Sequence, residues 1–246
     1  MLRIRRALPV LIAILLLAGC ESGQQIEKIV IPDHSATQPV PRTEEWWVKR
    51  HESFNALAAD GGIDLVLLGD SITHAWEGQG KEVWSEYYAP RHAANFGIGG
   101  DRTQHVLWRI DNGNFDGISP KLIVIMIGTN NSHDNAAAEI ADGVTAIVKK
   151  LRIKLPETKI LMLAIFPRGQ EPTDARRANN TAANEIFRNI ADGKMIHYLD
   201  IGAVFMNPDG TISPEIMPDF LHLTPAGYKL WADAIEEKVA ELMGEE

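Results

Sequence analysis

Hydrophobic positions along the chain fall into two patterns that alternate. Continuous apolar runs, typical of strands buried on both faces of a sheet, occur at residues 63–68, 122–127, 160–165, more weakly 195–199, and in a shorter run at 93–96. Apolar residues at helical spacing occupy segments around these runs, at residues 44–59, 102–110, 136–155 and 174–191. Strands that alternate with helices indicate βαβ units, so we predict an α/β fold with a parallel five-stranded sheet.

A last helix is predicted near the C-terminus. Thr224 and Pro225 are the residue types of an N-cap and a first helical position. The apolar residues that follow keep to one face of a helix, at Trp231, Ile235, Val239 and Leu242. This pattern predicts a helix that covers the sheet with one apolar stripe.

The N-terminus has the pattern of a targeting signal. Three arginines precede an apolar run over residues 7–19, which as a helix would span about 20 Å, short of the roughly 30 Å hydrocarbon core of a bilayer. A cleaved signal is therefore favoured over a spanning helix. The run ends in Leu-Ala-Gly-Cys, which resembles a bacterial lipoprotein box and implies lipidation of Cys20. The alternative is an ordinary secretory signal with a stray cysteine.

Residues 20–43 are predicted to be the lipidated cysteine and a flexible tether, because the segment is polar, rich in proline and without lasting periodicity. The folded domain is predicted over residues 44–246. Glu21 rather than Asp follows Cys20, so by the same resemblance the inner-membrane retention signal is absent. We expect a lipid-anchored protein on the periplasmic side of a bacterial envelope, with the outer membrane favoured.

Composition narrows the class further. The 246 residues are 45% hydrophobic and 23% charged, enough for one sizeable domain with a packed core. The net charge of −9 argues against a nucleic-acid-binding protein. Cys20 is the single cysteine, which excludes an intrachain disulfide and a cysteine-based metal cluster. We predict neither a metal nor a cofactor.

Reactive residues follow the predicted strands. In a parallel sheet the loops beyond the carboxyl ends of the strands meet at one edge, which is where ligands bind. These loops contain Ser71, Gly100, Asn130 and, near the C-terminus, Asp219 and His222. Each has an ordinary alternative, since serine often caps a helix, Gly-rich segments and asparagine form turns, and Asp and His three residues apart often form a surface ion pair.

Together, these residues supply the four functions of serine ester hydrolysis. Ser71 offers a hydroxyl nucleophile, and the imidazole of His222 can accept its proton at neutral pH. Asp219 is three residues away, so one short turn can place its carboxylate against the other ring nitrogen of His222. Gly100 can bring a backbone N–H close to a substrate, and Asn130 offers a neutral amide donor.

The motifs resemble the sequence blocks of the SGNH (GDSL) hydrolases. These motifs are Gly69-Asp70-Ser71, the Gly100 loop, Gly128-Thr129-Asn130 and Asp219-x-x-His222. Residues 95–109, 167–169 and 220–223 are more narrowly similar to the catalytic subunits of intracellular platelet-activating-factor acetylhydrolase. The resemblance implies a three-layer, flavodoxin-like fold with strand order 2-1-3-4-5 and metal-free hydrolysis through an acyl-enzyme.

The resemblance also implies roles for single residues. Ser71 is the nucleophile, His222 the base and Asp219 the group that orients the base, while Ser71 N–H, Gly100 N–H and the Asn130 side chain form the oxyanion hole. The lipoprotein signal departs from these cytosolic relatives, so a homodimer like theirs stays an open alternative to a monomer.

Three residues are predicted to enclose the acyl group. Ile72, Thr129 and Leu221 each adjoin a site residue in sequence, and the related acetylhydrolases are similar there. Because Ile72 is β-branched and stiff, we expect a small pocket that favours acetyl over longer chains.

The sequence supports a serine esterase that removes acetyl groups from an O-acetylated carbohydrate or a similar extracytoplasmic substrate. A lysophospholipase or lipase that acts on membrane lipids is the second interpretation. A non-catalytic, carbohydrate-binding envelope lipoprotein is the third, weakened by the presence of every catalytic residue.

Overall fold

In the computed structural model, which describes residues 26–245, one sheet of parallel strands has the order β2-β1-β3-β4-β5. The strands are β1 (Leu65–Gly69), β2 (Ala93–Gly97), β3 (Leu122–Met126), β4 (Lys159–Leu163) and β5 (Ile196–Leu199). Each lies within about two residues of a predicted apolar run. The parallel sheet and its strand order confirm the prediction.

Helices connect the strands and cover both faces of the sheet. They are α1 (Glu45–Asp60), α2 (Ser71–His74), α3 (Lys81–Tyr87), α4 (Thr103–Asp111), α5 (Ala137–Lys154), α6 (Ala175–Phe187) and α7 (Pro225–Met243). The short helices α2 and α3 have no counterpart in the sequence prediction. Helix α2 is a single turn and α3 buries none of its residues, so neither leaves a periodic apolar pattern.

The strands send alternate side chains into two separate cores, as expected for a sheet between two helical layers. In β1, Val66 and Leu68 pack in the core beneath α1, α4, α5 and α6. Leu65 and Leu67 pack in the opposite core with α7. The predicted apolar stripe of α7 is buried there, and its Thr224 hydroxyl accepts from the Gly227 N–H at 3.2 Å.

Residues 34–43, which we call the strap, belong to the segment that was predicted to be a flexible tether. In the structure they pack against the domain. Ala36 is fully buried, and its carbonyl oxygen accepts from the Thr103 hydroxyl at 2.7 Å. The Val40 N–H donates to the Gln104 carbonyl oxygen at 3.2 Å. A Cβ at Gly143 of α5 would lie 2.9 Å from the Ala36 carbonyl oxygen, so a glycine is required for this close approach.

Single hydrogen bonds from backbone groups and polar side chains hold the strap, for example those of Ala36, Val40 and Arg42. Such contacts leave no hydrophobic period, so the hydrophobic pattern predicted a tether rather than packed structure. Within residues 26–245, no helix is both long and apolar enough to cross a membrane. Cys20 and the predicted signal peptide lie outside the described residues.

Candidate active site

Ser71 lies at the turn between β1 and α2, at the carboxyl edge of the sheet. The preceding residue, Asp70, caps α2 by accepting from the Ile72 N–H at 3.0 Å. As the first helical residue, Ser71 keeps a backbone N–H that has no acceptor within the helix. Its hydroxyl oxygen lies 2.9 Å from Nε2 of His222. The turn therefore places both the Ser71 hydroxyl and the Ser71 backbone N–H at the carboxyl edge of the sheet.

Asp219 and His222 form the second part of the site in a tight turn before α7. Oδ2 of Asp219 lies 2.6 Å from Nδ1 of His222, and Oδ1 accepts from the His222 N–H at 2.8 Å. Phe220, between them, adopts a left-handed conformation with φ of 56°. A non-glycine residue in this region is strained, and such strain is concentrated at functional sites.

The Asp219 carboxylate is held in its charged form. Partial burial works against ionisation, but the hydrogen bonds from the side chain and backbone of His222 outweigh it and lower the pKa of Asp219. A charged Asp219 accepts the Nδ1 proton of His222 and leaves Nε2 as the acceptor for the Ser71 hydroxyl. Ser71, His222 and Asp219 thus form one continuous chain of hydrogen bonds.

The loop of residues 97–101, which we call the oxyanion loop, runs beside Ser71. A Cβ placed on Gly99 would lie 3.9 Å from the Cβ of Ser71. Gly100 has φ of 78°, a conformation that glycine adopts without strain. Nδ2 of Asn130 donates to the Asp101 carbonyl oxygen at 2.9 Å, which uses one of its two hydrogens and ties Asn130 to the loop.

Buried charges fix the end of the oxyanion loop. The Asp101 carboxylate is completely buried, accepts from the Trp47 indole N–H at 2.7 Å and lies 2.9 Å from Nε of the equally buried Arg109. Burial raises the pKa of Asp101, whereas Arg109 and Trp47 act against that rise. Removal of one partner would leave an uncompensated charge in the core.

Asp70, the residue before Ser71, is a further buried carboxyl group. Burial raises its pKa to about 7, partly offset by the Ile72 N–H. Its second oxygen has no hydrogen-bond partner among the described residues. Asp70 therefore caps α2 from a position that is buried away from solvent.

The three predicted acyl-pocket residues do not share one environment. Ile72 and Thr129 are each only 1% exposed. Ile72 packs in the α7 core, and the Thr129 hydroxyl oxygen accepts from Arg168 at 3.0 Å. That these two side chains enclose the acyl group stays a prediction, because adjacency in sequence does not fix side-chain direction. Leu221 is half-buried beside His222 and keeps the predicted role as a candidate.

The sequence analysis missed Arg42, which with His74 supports the oxyanion loop. Arg42 of the strap donates to the Gly99 carbonyl oxygen at 2.7 Å, and Nδ1 of His74 accepts from the Gly99 N–H at 3.2 Å. Because these contacts join segments that are distant in sequence, no motif or spacing predicts them. Among residues 26–245, no three His, Cys, Asp or Glu side chains are grouped as metal ligands would be.

Comparisons with known proteins agree with this geometry. The sequence profile of the GDSL-like Lipase/Acylhydrolase family matches residues 67–230. Platelet-activating factor acetylhydrolase IB subunit alpha2 of Rattus norvegicus is 39% identical over 203 residues, which cover 82% of this chain and 87% of that protein.

Two solved structures share the fold at low sequence identity. A GDSL-like lipase from Bacteroides thetaiotaomicron is 18% identical with a TM-score of 0.60, covering 78% of this chain and 97% of its own. A catalytic mutant of an acetylxylan esterase from Geobacillus stearothermophilus is 18% identical with a TM-score of 0.59, covering 76% of this chain and 96% of its own.

Proposed function

The chain belongs to the GDSL-like lipase/acylhydrolase family and is an ester hydrolase, and from this premise we propose that it is a serine acetylesterase. Ser71 is the nucleophile, His222 its general base and Asp219 the group that orients the base. Ser71 N–H, Gly100 N–H and the Asn130 side chain receive the oxyanion. The observation that carries the proposal is the hydrogen-bonded chain from Asp219 through His222 to Ser71, with distances of 2.6 and 2.9 Å.

The reaction proceeds in two halves. The Ser71 hydroxyl oxygen attacks the ester carbonyl carbon while its proton passes to Nε2 of His222. The carbonyl oxygen becomes an oxyanion, which the three N–H donors stabilise. The C–O bond to the alcohol breaks, and His222 returns the proton to the leaving alcohol. Water then attacks the acyl-enzyme by the same route and releases the acid and free Ser71.

Two features support a small acyl group. The relative that is 39% identical is named an acetylhydrolase. The side chains of Ile72 and Thr129 are each 1% exposed, so neither one lines an open apolar channel for a long acyl chain. Leu221 is then the side chain best placed to limit the acyl chain.

The alcohol half is proposed to be a carbohydrate of the cell envelope, so that the substrate is an O-acetylated sugar. A membrane-lipid ester is the second candidate, favoured by the family description, which names lipases alongside acylhydrolases. Both candidates have the same reaction centre and differ only in what the outer rim of the site binds.

Steady-state rates on a substrate panel test the choice. The panel holds acetylated xylo-oligosaccharides, an acetylated glycerophospholipid, a lysophospholipid and a nitrophenyl ester series from two to eight carbons. We expect the highest kcat/KM on an acetylated sugar and an optimum at acetyl. A higher rate on the lysophospholipid, or an optimum at eight carbons, would contradict the acetylesterase proposal and indicate a lipase.

We further propose that Cys20 is lipidated and anchors the enzyme to the envelope membrane from its periplasmic side. The Leu-Ala-Gly-Cys box after an arginine-led apolar run supports this. Cys20→Ser should leave the precursor unprocessed or release the protein from membranes, as followed by fractionation and intact mass. Ser22→Ala is the matched control, and unchanged processing and partitioning in Cys20→Ser would refute the anchor.

A further inference from the structure

Of the three donors in the proposed oxyanion hole, the Gly100 N–H is the one whose orientation the sequence constrains least, because it belongs to the peptide between Gly99 and Gly100. Glycine on both sides allows the peptide plane to rotate with little steric cost. In a planar trans peptide, the carbonyl of Gly99 and the N–H of Gly100 point in opposite directions. Any contact that fixes the Gly99 carbonyl therefore also fixes the direction of the Gly100 N–H.

Arg42 makes that contact. Its Nη1 donates to the Gly99 carbonyl oxygen at 2.7 Å and lies 3.7 Å from Oδ1 of Asp101. A Cβ placed on Gly100 would lie 3.0 Å from the same nitrogen, so the guanidinium lies directly against this peptide. We propose that Arg42 is a positioning residue that fixes the Gly99–Gly100 peptide and aims the Gly100 N–H at the oxyanion.

The position of Arg42 is itself well defined. Its side chain is 17% exposed, its Nη2 pairs with Oε1 of Glu44 at 2.7 Å, and its guanidinium lies 5.0 Å from the centre of the Trp46 ring. The strap carries Arg42 to the loop, since the Val40 N–H is bonded to the backbone of α4. The N-terminal segment is thus part of the active-site framework.

The charge of Arg42 adds a second effect. A charge-assisted hydrogen bond to a carbonyl polarises the peptide and strengthens its N–H as a donor. The hydrogen bond from Arg42 lowers the pKa of Glu44 to about 2, so the pair stays charged over any ordinary assay range. Loss of Arg42 should therefore lower the rate without changing the shape of the pH profile.

Arg50 is a natural control because it has the same chemistry on a different peptide. Its Nε donates to the Gly97 carbonyl oxygen at 2.7 Å, it pairs with Glu77 at 2.7 Å, and its side chain is 15% exposed. The N–H of that peptide belongs to Ile98 and donates to the Gly69 carbonyl oxygen at 3.2 Å. Arg50 therefore orients no oxyanion donor.

The test compares Arg42→Met with Arg50→Met on an acetyl ester. We expect kcat to fall about 10- to 100-fold in Arg42→Met, less than the loss of a whole donor, with KM and the pH profile unchanged. Arg50→Met should keep kcat within about threefold. In Arg42→Ala, added ethylguanidinium should restore part of kcat, and Arg42→Lys should fall between wild type and Arg42→Met because it keeps the charge without the planar fork.

The proposal rests on the proposed role of Gly100, so Ser71→Ala is measured alongside. An active Ser71→Ala would contradict the proposed catalytic site itself. An inactive Ser71→Ala with kcat of Arg42→Met near wild type, or an equal loss in Arg50→Met, would overturn only the role of Arg42. If Arg42→Met does not fold, the other two variants decide. The role of Arg42 is then overturned if ethylguanidinium does not rescue Arg42→Ala and Arg42→Lys has the kcat of the wild type.

Discussion

The two sides of the candidate active site are built in opposite ways. The turn of residues 218–222 is open to solvent, with the side chains of Asp219 and His222 55% and 41% exposed, and its key contacts span three residues. The oxyanion loop ends in Asp101, which with Arg109 is fully buried, and its contacts reach from Arg42 to Asn130. Asp219 has a lowered pKa and Asp101 a raised one, which follows from this difference in burial and hydrogen bonding.

The difference corresponds to the two tasks that we propose for the two sides, proton transfer and stabilisation of the oxyanion. A base that exchanges protons with a substrate and with water must remain accessible to water, and a local turn is enough to hold one imidazole. Donors that stabilise an oxyanion work best when they do not reorganise during the reaction. Long-range contacts and buried charge supply that rigidity. The predictions below separate the contributions of the two sides.

The largest expected effect is at Ser71, whose hydroxyl is hydrogen-bonded to His222 of the open side. Ser71→Ala removes the nucleophile and should lower kcat by at least about 10⁴-fold, with thermal unfolding unchanged. Ser85→Ala, an exposed serine in α3, is the control and should keep full activity. A fluorophosphonate probe should label Ser71 in the wild type and should not label Ser71→Ala. Labelling of another residue would contradict the assignment.

On the buried side, the largest effect should be on stability. Arg109→Met leaves the Asp101 carboxylate buried with fewer partners and should cost about 3–5 kcal/mol in the free energy of unfolding. Lys150→Met breaks the exposed pair with Asp111 and should cost about 0–1 kcal/mol. Denaturant unfolding measures both. Equal losses of unfolding free energy in the two variants would show that the buried pair contributes no more to stability than the exposed pair.

Asn130 tests the donor function of the buried side directly. Asn130→Ala should lower kcat about 10²- to 10³-fold with little change in KM, because the bond to the oxyanion strengthens only in the transition state. Asn189→Ala, on the surface after α6, is the control. A raised KM with a normal kcat would make Asn130 a substrate-binding residue instead.

The smallest effect concerns Leu221, beside the base on the open side. Leu221→Ala should raise kcat/KM for hexanoyl relative to acetyl esters, with each accommodated CH₂ contributing about 0.8 kcal/mol. Leu57→Ala, on an exposed position of α1, should leave the ratio unchanged. Lower stability with an unchanged chain-length preference would make Leu221 a core residue only.

Much of the fold and the proximity of Ser71, His222 and Asp219 were predictable because local pattern and sheet topology act together. The apolar runs at 122–127 and 160–165 are strands because buried parallel strands need apolar side chains on both faces. Once the strands are parallel, their carboxyl ends meet at one edge, and Ser71 and His222 become neighbours across 151 positions. The short helices α2 and α3 could not be predicted, because a single turn and a helix without buried residues leave no periodic apolar pattern.

The sequence by itself determined the parallel sheet, the N-cap of α7 and the residue types of the triad, because each depends on hydrophobic spacing or on chemistry that few side chains possess. Only the tertiary structure decided that residues 34–43 pack as a strap and that Arg42 reaches the Gly99 carbonyl, 57 positions away. These contacts join backbone carbonyls to single polar side chains, so they produce no period and no motif. Their energy comes from burial and hydrogen-bond geometry, which exist only after the chain has folded.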